Sequence, residues 1–155
     1  MGMSEIVMRE AAISDIADLR QLEQELIEFE RTFDRFLHKT DVIYYDLDDL
    51  ISNSKSIMYV AEVGSEIVAC GYAQLRESKS FITSEQHCYL GFIYVKPDFR
   101  GQGLSRRIVE ALSEWAMGQG VSHFLLDVYS DNSGAIRAYE KFGFKPRSTS
   151  MELMF

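Results

Sequence analysis

The chain has 155 residues, of which 46% are hydrophobic and 26% are charged, and its net charge is −8 at pH 7. This length and composition are typical of one globular domain with a single core, so we expect one domain over residues 1–155. The acidic balance argues against a nucleic-acid partner, because neutralising phosphates requires an excess of Lys and Arg. No apolar run approaches the roughly 18 residues that span a bilayer, so no membrane partner is expected.

The start of the sequence lacks the basic and then apolar pattern of a secretory signal, which predicts a cytoplasmic location. Cys70 and Cys88 both fall in predicted strands, and in a reducing compartment they are expected to be free core residues. The histidines do not share zinc-ligand spacing with one another or with a cysteine, so no metal site is expected.

The first third of the chain predicts one strand followed by helices. Residues 5–9 indicate a short strand, and Ser14 is a candidate N-cap for the helix that follows. That helix is predicted from apolar residues at helical spacing, namely Ile16, Leu19, Leu22, Leu26 and Phe29. Residues 45–53 suggest another helical turn or two.

The remaining elements alternate between strands and helices. Residues 56–63 and 66–76, joined by Gly64-Ser65, predict a β-hairpin. Residues 87–95 form an almost continuous apolar run, which suits a central strand buried on both faces. The rest of the chain predicts a helix over 103–118, a strand over 122–129, a helix over 132–142 that ends at Gly143, and a final strand over 148–155. This order predicts a mixed sheet with helices on both faces.

A glycine-rich segment, Arg100-Gly101-Gln102-Gly103-Leu104-Ser105, joins the central strand to a helix. It matches neither the Walker A loop nor the dinucleotide fingerprint, whose third glycine is replaced by Arg106. It does match [Q/R]-x-x-G-x-[G/A], except that Ser105 occupies the last position. Glycines allow close backbone approach, and the first N–H groups of a helix favour an anion, so the segment predicts a phosphate cradle. A plain surface turn is the alternative.

A second motif follows in the segment NSGAIRAYEKFGF. It holds Asn132, Ala135, Tyr139, Gly143 and Phe144 at the spacing N-x-x-A-x-x-x-Y-x-x-x-G-F. Together with YVKPDFRGQG upstream and VMREAAISDI near the start, the chain resembles the GNAT superfamily of acyl-CoA-dependent N-acetyltransferases over about residues 5–155. The resemblance implies an α/β (α+β) fold with a mixed, mostly antiparallel sheet of six to seven strands. It also implies a V-shaped notch for acetyl-CoA between the strands at 87–95 and 122–129.

The resemblance also implies roles for individual residues. The backbone around Ile93, Tyr94 and Val95 would contact the pantetheine arm, and residues Arg100 to Ser105 would hold the pyrophosphate. Asn132 and Ala135 would contact the cofactor, and Tyr139 would protonate the departing thiolate. Each of the last three also has a structural alternative: Asn132 suits a helix N-cap, Ala135 suits close helix packing, and Tyr139 suits the helix–sheet interface.

The sequence departs from the family where many members have a glutamate as general base, four residues before Val95. Gly91 occupies that position, and a glycine within an apolar strand commonly marks a bulge. A proton must still leave the attacking amine, because a free lysine-type amine has a pKa near 10.4. Asp127 is the first candidate for a substitute base, acting directly or through water, and the other candidates are His87, Tyr89 and Glu85.

Two further expectations concern partners. A segment after the first strand, residues 25–40, is rich in acids and aromatics. Glu28, Phe29 and Phe33 are candidates for binding a cationic acceptor, and a solvated acidic helix face is the alternative. Only eleven residues follow Gly143-Phe144, enough for one strand. An exposed last strand tends to associate with another chain, so a homodimer is expected.

The resulting functional hypothesis is an N-acetyltransferase that moves acetyl from acetyl-CoA, its acyl-donor substrate, to a primary amine by direct attack in a ternary complex. The alternative is a non-catalytic acyl-CoA-binding module on the same fold. Gly91 favours the binding module, whereas Tyr139 favours the enzyme.

Overall fold

The computed structural model describes residues 5–155. Five strands and four α-helices lie in this part of the chain, and short 3-10 turns precede α1 and follow β4. In chain order they are β1 (Ile6–Glu10), α1 (Ile16–Glu30), α2 (Leu47–Ser52), β2 (Ser56–Val63), β3 (Glu66–Glu77), β4 (Gln86–Val95), α3 (Leu104–Gly118), β5 (Phe124–Leu125) and α4 (Ser133–Phe142).

The strands form one sheet in the order β1-β2-β3-β4-β5. The first four are antiparallel neighbours, including the predicted hairpin at Gly64-Ser65, and β5 is parallel to β4. The predicted mixed, mostly antiparallel sheet is therefore confirmed. The expected six to seven strands were too many, because residues 5–155 contribute five.

Helices cover both faces of the sheet, as predicted. The apolar stripes of α1 and α2 pack on one face, where the buried residues include Leu19, Leu22, Met58, Val60 and Phe92. On the other face, α3 packs through Ile108, Leu112 and Ala116 on the alternate strand positions, including Ala73 and Leu90. This alternation follows from the two-residue period of a strand, and it buries the central strand β4 on both sides.

The predicted cap at Ser14 is wrong, because this residue lies inside the 3-10 turn at residues 13–15. Asp15 stabilises the start of this turn instead, since its carboxylate accepts a hydrogen bond from the N–H of Ala12 at 2.7 Å. Arg9 donates to the same carboxylate at 2.8 and 2.9 Å. This pairing holds the pKa of Asp15 below its ordinary value and ties β1 to the start of α1.

Two predicted strands are shorter or absent. The strand expected over 122–129 is reduced to Phe124–Leu125, and residues 145–155 have no regular structure. A strand needs a hydrogen-bonded neighbour, and β5 has only β4 beside it, along two residue pairs. The final segment has no strand beside it within residues 5–155. Its Met151, Leu153 and Phe155 are therefore exposed.

No helix within residues 5–155 has both the length and the apolar composition needed to cross a membrane. In the same range, no group of three or more His, Cys, Asp or Glu side chains is arranged to hold a metal ion. Cys70 and Cys88 are free and buried, as expected. Burial raises the pKa of both thiols, that of Cys88 to about 11, so neither is a reactive thiolate near neutral pH.

Candidate active site

The centre of the site is a bulge in β4. One residue of β3, Gly71, lies opposite two residues of β4, Phe92 and Ile93, in an otherwise regular antiparallel pair. Phe92 has φ +50°, in the left-handed region that non-glycine residues rarely adopt. Its buried ring is held by Tyr45, which stacks on it with ring centroids 4.8 Å apart. A bulge interrupts the ladder, which leaves backbone polar groups of this segment available to a ligand.

Beyond the bulge, β4 and β5 are no longer paired. The last ladder pair is Tyr89 with Leu125, and residues 126–129 continue without a neighbouring strand. This separation agrees with the predicted notch. The hydroxyl of Tyr89 donates to Oδ2 of Asp127 at 2.7 Å. This hydrogen bond links β4 to the segment that follows β5, at the point where the ladder ends.

The stretch from Ile93 to Val95 offers its backbone rather than its side chains. Ile93 packs with the α3 face and Tyr94 is buried on the α1 face, with its hydroxyl 3.4 Å from Oε1 of Glu25. Val95 packs against a buried cluster formed by Ala61, Val68, Ala69 and Leu104. Only the peptide groups of this stretch remain for the predicted pantetheine contact.

The glycine-rich segment forms a tight turn onto α3. Gly101 has φ +78° and Gly103, the N-cap of α3, has φ +76°, so both need a residue without Cβ. Leu104 is buried and anchors the helix start, whereas Gln102 is exposed and Ser105 is half-buried. The N–H groups of the first helical turn have no partner within the helix. With the helix dipole they favour an anion at this position, and the phosphate cradle stays a prediction.

Arg100 lies at the edge of this cradle. Its Nε donates to the carbonyl oxygen of Val95 at 2.9 Å, and its guanidinium lies 5.6 Å from the ring centroids of both Phe29 and Tyr94. Glu28 and Phe29 line a cavity of about 400 Å³ beside it. Glu28 is exposed and pairs with Arg31 at 2.7 Å. These two predicted acceptor residues therefore lie next to the glycine-rich segment.

Asn132 and Ala135 together form the N-terminal cap of α4. The side chain of Asn132 accepts a hydrogen bond from the N–H of Ala135 at 3.3 Å, which is the structural role considered from the sequence. The side-chain nitrogen Nδ2 of Asn132 takes no part in this bond and remains a donor. Ala135 is half-buried.

Tyr139 is half-buried, with its ring edge-on to Phe144 at a centroid distance of 5.9 Å. Burial, with a smaller effect from the negative charge of Glu30, raises the pKa of Tyr139 to about 12. The hydroxyl therefore keeps its proton throughout the neutral range, which is the state that a hydrogen-bond donor requires.

The candidates for the missing base are separated by the structure. Asp127 is exposed at the end of the notch and accepts the Tyr89 hydrogen bond. His87 and Glu85 lie four and six residues before Gly91, which at about 3.3 Å per residue is roughly 13 and 20 Å along the chain. His87 forms a hydrogen bond with Ser78, and its Nδ1 lies 3.0 Å from Oγ of Ser78. Asp127 and Tyr89 are the two candidates that lie together near Gly91.

A group of acidic and aromatic side chains lies where α1 ends and β5 continues. Phe33 stacks on Tyr129 with centroids 6.0 Å apart, and Tyr129 donates to Oδ2 of Asp34 at 2.9 Å. Burial, with a smaller contribution from Asp34, raises the pKa of Glu30. Neither acid forms a salt bridge within residues 5–155. Phe33 was a predicted binding residue, and Glu30 and Asp34 belong to the same acidic and aromatic segment of the sequence. Tyr129 was not predicted, although it lies two residues after Asp127 on the same side of an extended chain.

This geometry can be compared with known proteins. The model of the acetyltransferase (GNAT) family matches residues 17–144. The chain belongs to the GNAT acetyltransferase family. It is 30% identical over 147 residues to a thialysine N-epsilon-acetyltransferase of Sus scrofa, with 91% of this chain and 85% of the relative covered. The predicted enzyme class, an acyl-CoA-dependent N-acetyltransferase with acetyl-CoA as its acyl-donor substrate, is confirmed.

Solved structures share the fold of this GNAT chain. A predicted acetyltransferase of Clostridium acetobutylicum, in complex with acetyl-CoA, superposes with a TM-score of 0.77 at 18% identity, covering 97% of this chain and 96% of its own. The aminoglycoside N-acetyltransferase AAC(6')-Iy, in complex with CoA, superposes with a TM-score of 0.75 at 15% identity, covering 96% and 98%.

Proposed function

We propose that this GNAT protein transfers acetyl from acetyl-CoA to a primary amine by direct attack in a ternary complex. The observation that carries the proposal is the pairing of the β4 bulge with the anion cradle at the start of α3. The bulge exposes peptide groups beside the gap between β4 and the continuation of β5. The cradle follows in the segment that connects β4 to α3. One extended acetyl-CoA molecule can therefore place its thioester at the bulge and its pyrophosphate in the cradle.

In this arrangement the pyrophosphate binds the N–H groups from Gly101 to Ser105, and Arg100 adds positive charge. The pantetheine arm runs along the peptide groups of residues 93–95, as an added strand would. Asn132, whose amide nitrogen is free to donate, and Ala135 contact the cofactor at the start of α4. The acetyl group then lies at the bulge, between Phe92 and the end of the notch.

Proton removal from the amine falls to Asp127. An amine with a pKa near 10.4 is neutral in only about one molecule in 2,500 at pH 7, so a proton acceptor is required. The Asp127 carboxylate, oriented by the Tyr89 hydroxyl at 2.7 Å, takes the proton directly or through water. The amine nitrogen attacks the thioester carbon, the C–S bond breaks, and the sulfur leaves as a thiolate.

Tyr139 stabilises that thiolate. A thiol has a pKa near 8.5, whereas the pKa of Tyr139 is raised to about 12. Complete proton transfer from tyrosine to sulfur would be uphill by roughly 5 kcal/mol. The tyrosine therefore acts chiefly as a hydrogen-bond donor to the developing negative charge. A charge-assisted bond of this kind contributes about 1.5–3 kcal/mol.

The acceptor that we propose is a small cationic amine of lysine-like structure. The half-buried acids Glu30 and Asp34, with the rings of Phe33 and Tyr129, favour a positive charge near the notch. The similarity to a thialysine N-epsilon-acetyltransferase supports the same class of acceptor. The ring of Phe29 meets that of Phe33 edge-on at a centroid distance of 5.2 Å, so Phe29 and the adjacent Glu28 extend this group toward the cavity beside Arg100.

Release of free CoA thiol from acetyl-CoA, with mass spectrometry of the product, tests this function. The amine panel contains thialysine, lysine and an aminoglycoside. Tyr139→Phe should lower kcat about 10- to 100-fold, and Asp127→Asn should lower kcat at neutral pH and move the pH profile upward. Asp131→Asn, an exposed change four residues away, is the control. Binding of acetyl-CoA without turnover, and no effect of Tyr139→Phe, would support a binding module instead.

We also propose that the protein is a homodimer. The outer edge of β5 has no neighbour within residues 5–155, and the final segment exposes Met151, Leu153, Met154 and Phe155. A free edge and an apolar extended segment are complementary between two copies. Sedimentation at micromolar concentration should show a dimer, and Leu153→Glu should shift the equilibrium to monomer. A wild-type monomer at that concentration would contradict the proposal.

We also propose a cytoplasmic location, where acetyl-CoA is present and free thiols persist. Cys70 and Cys88 are both buried and unpaired with each other, which suits a reducing compartment. Fractionation of cells that express a tagged chain would place the protein directly.

A further inference from the structure

The position of the missing glutamate is occupied by another side chain. A Cβ placed on Gly91 would overlap Cζ and Oη of Tyr72 and would lie 2.6 Å from its Cε2. Tyr72 pairs with Gly91 across the β3–β4 ladder, so its ring covers the glycine directly. The phenol therefore lies in the volume that any side chain at residue 91 would need.

The Tyr72 ring is held in this position by its neighbours. Only 6% of the residue is exposed, and the ring of Tyr45 meets it edge-on with centroids 5.6 Å apart. Tyr89 lies on its other side at a centroid distance of 6.4 Å. Tyr45 is fixed in turn, because its N–H donates to the fully buried Glu23 at 3.0 Å. The phenol is thus a preorganised group beside the bulge.

In the part of the chain that the structure describes, no protein group accepts a hydrogen bond from the Tyr72 hydroxyl. Within residues 5–155, the tyrosine hydroxyls that donate to carboxylates are those of Tyr89, Tyr94 and Tyr129. Burial raises the pKa of Tyr72, and the positive charge of Arg76 opposes the shift. Arg76 also lies 3.9 Å above the Tyr89 ring. A protonated phenol beside a guanidinium is suited to meet a negative charge.

We propose that the Tyr72 hydroxyl donates a hydrogen bond to the carbonyl oxygen of the bound acetyl thioester and stabilises the oxyanion that forms during attack. This inference rests on the proposed function, since it requires the acetyl group to lie at the β4 bulge. A donor whose bond strengthens as the charge develops stabilises the transition state more than the bound substrate, and this difference lowers the barrier. Gly91 is then the residue that makes room for the donor, and proton removal remains with Asp127.

Kinetics of Tyr72→Phe test the role of the hydroxyl, because the ring that covers Gly91 is retained. We expect kcat to fall about 100-fold, the usual loss for one oxyanion donor, with the KM for acetyl-CoA and the shape of the pH profile unchanged. Tyr59→Phe, on the sheet face that packs against α3, is the matched control and should leave kcat unchanged. An unaltered kcat in Tyr72→Phe would overturn the inference, and a displaced pH profile would make Tyr72 a base instead.

Infrared spectroscopy of acetyl-CoA labelled with ¹³C at the acetyl carbonyl tests the same bond without turnover. The carbonyl stretch of the bound thioester should lie at lower frequency in wild type than in Tyr72→Phe, with both proteins saturated. Equal frequencies would overturn the inference even if the enzyme acetylates amines. A frequency difference in a protein that acetylates no amine would retain the Tyr72 contact and reject the proposed function. Failure of wild type to bind acetyl-CoA would reject both.

Discussion

Replacement of Gly91 by alanine should destabilise the protein, although it adds a single methyl group. The new Cβ would overlap Cζ and Oη of Tyr72 and lie 2.6 Å from Cε2, whereas carbon atoms in contact lie about 3.5–4.0 Å apart. One of the two strands, or the ring, must therefore move by about 1 Å. Neither moves easily, because Tyr72 is 6% exposed and Tyr45 lies against its edge.

The cost follows from the overlap. Overpacking a well-filled core by one methyl group typically costs 1–3 kcal/mol of the free energy of unfolding. For a chain of about 150 residues, each kcal/mol lowers Tm by about 2–4 °C. Gly91→Ala should therefore lower Tm by about 2–12 °C. The same movement displaces the Tyr72 hydroxyl, so kcat should fall as well.

Thermal unfolding followed by circular dichroism measures this effect. Gly118→Ala is the matched control, since a Cβ there meets nothing within 4 Å and its φ is not positive, and it should leave Tm unchanged or slightly higher. Gly91→Ala in a Tyr72→Leu background should cost less than in wild type, because the ring is gone. If Gly91→Ala and Gly118→Ala have the same Tm, the steric argument for Gly91 is refuted.

Three further predictions concern other parts of the molecule. Glu23→Ala removes a fully buried carboxylate that accepts hydrogen bonds from Arg20 and from two backbone N–H groups. Urea unfolding should show that the free energy of unfolding falls by about 3–5 kcal/mol, and a fall below about 1 kcal/mol would contradict this prediction. Gly103→Ala places a Cβ at φ +76°, so calorimetry should show weaker CoA binding, whereas Gly134→Ala, in open space, should not change it. Burial lowers the pKa of His87 below its ordinary 6.5, with smaller effects from the positive charges of His123 and others. The unfolded chain then binds the proton more readily, so Tm should fall as the pH drops below about 6.5, and less steeply in His87→Gln.

The order of the elements could be predicted from the sequence because it depends on local patterns. The hairpin at Gly64-Ser65, the apolar run of β4 and the helical spacing of α1 each reflect a period of two or 3.6 residues. The glycine-rich segment was equally local, since φ values of +78° and +76° need glycine. These features are set by neighbours along the chain.

The lengths of the last strands could not be predicted in this way. Residues 122–129 and 148–155 have strand-like composition, but a strand exists only where another strand pairs with it. The pairing of β5 with β4 covers only two residue pairs and ends at Tyr89 with Leu125, and no strand lies beside the final segment within residues 5–155. Pairing is a property of the fold, so composition overestimated it.

The sequence by itself determined the family, the glycine-rich turn onto α3 and the absence of the usual glutamate, because each depends on residue types at fixed spacing. Tertiary structure decided what replaces that glutamate. Tyr72 lies 19 residues before Gly91, and only the β3–β4 ladder brings its ring over the glycine. Tertiary structure also distinguishes Asp127 from His87 and Glu85, because the Tyr89 hydroxyl donates a hydrogen bond to Asp127 across the notch. Such contacts join residues distant in the chain, and the spacing of residues along one sequence carries no record of them.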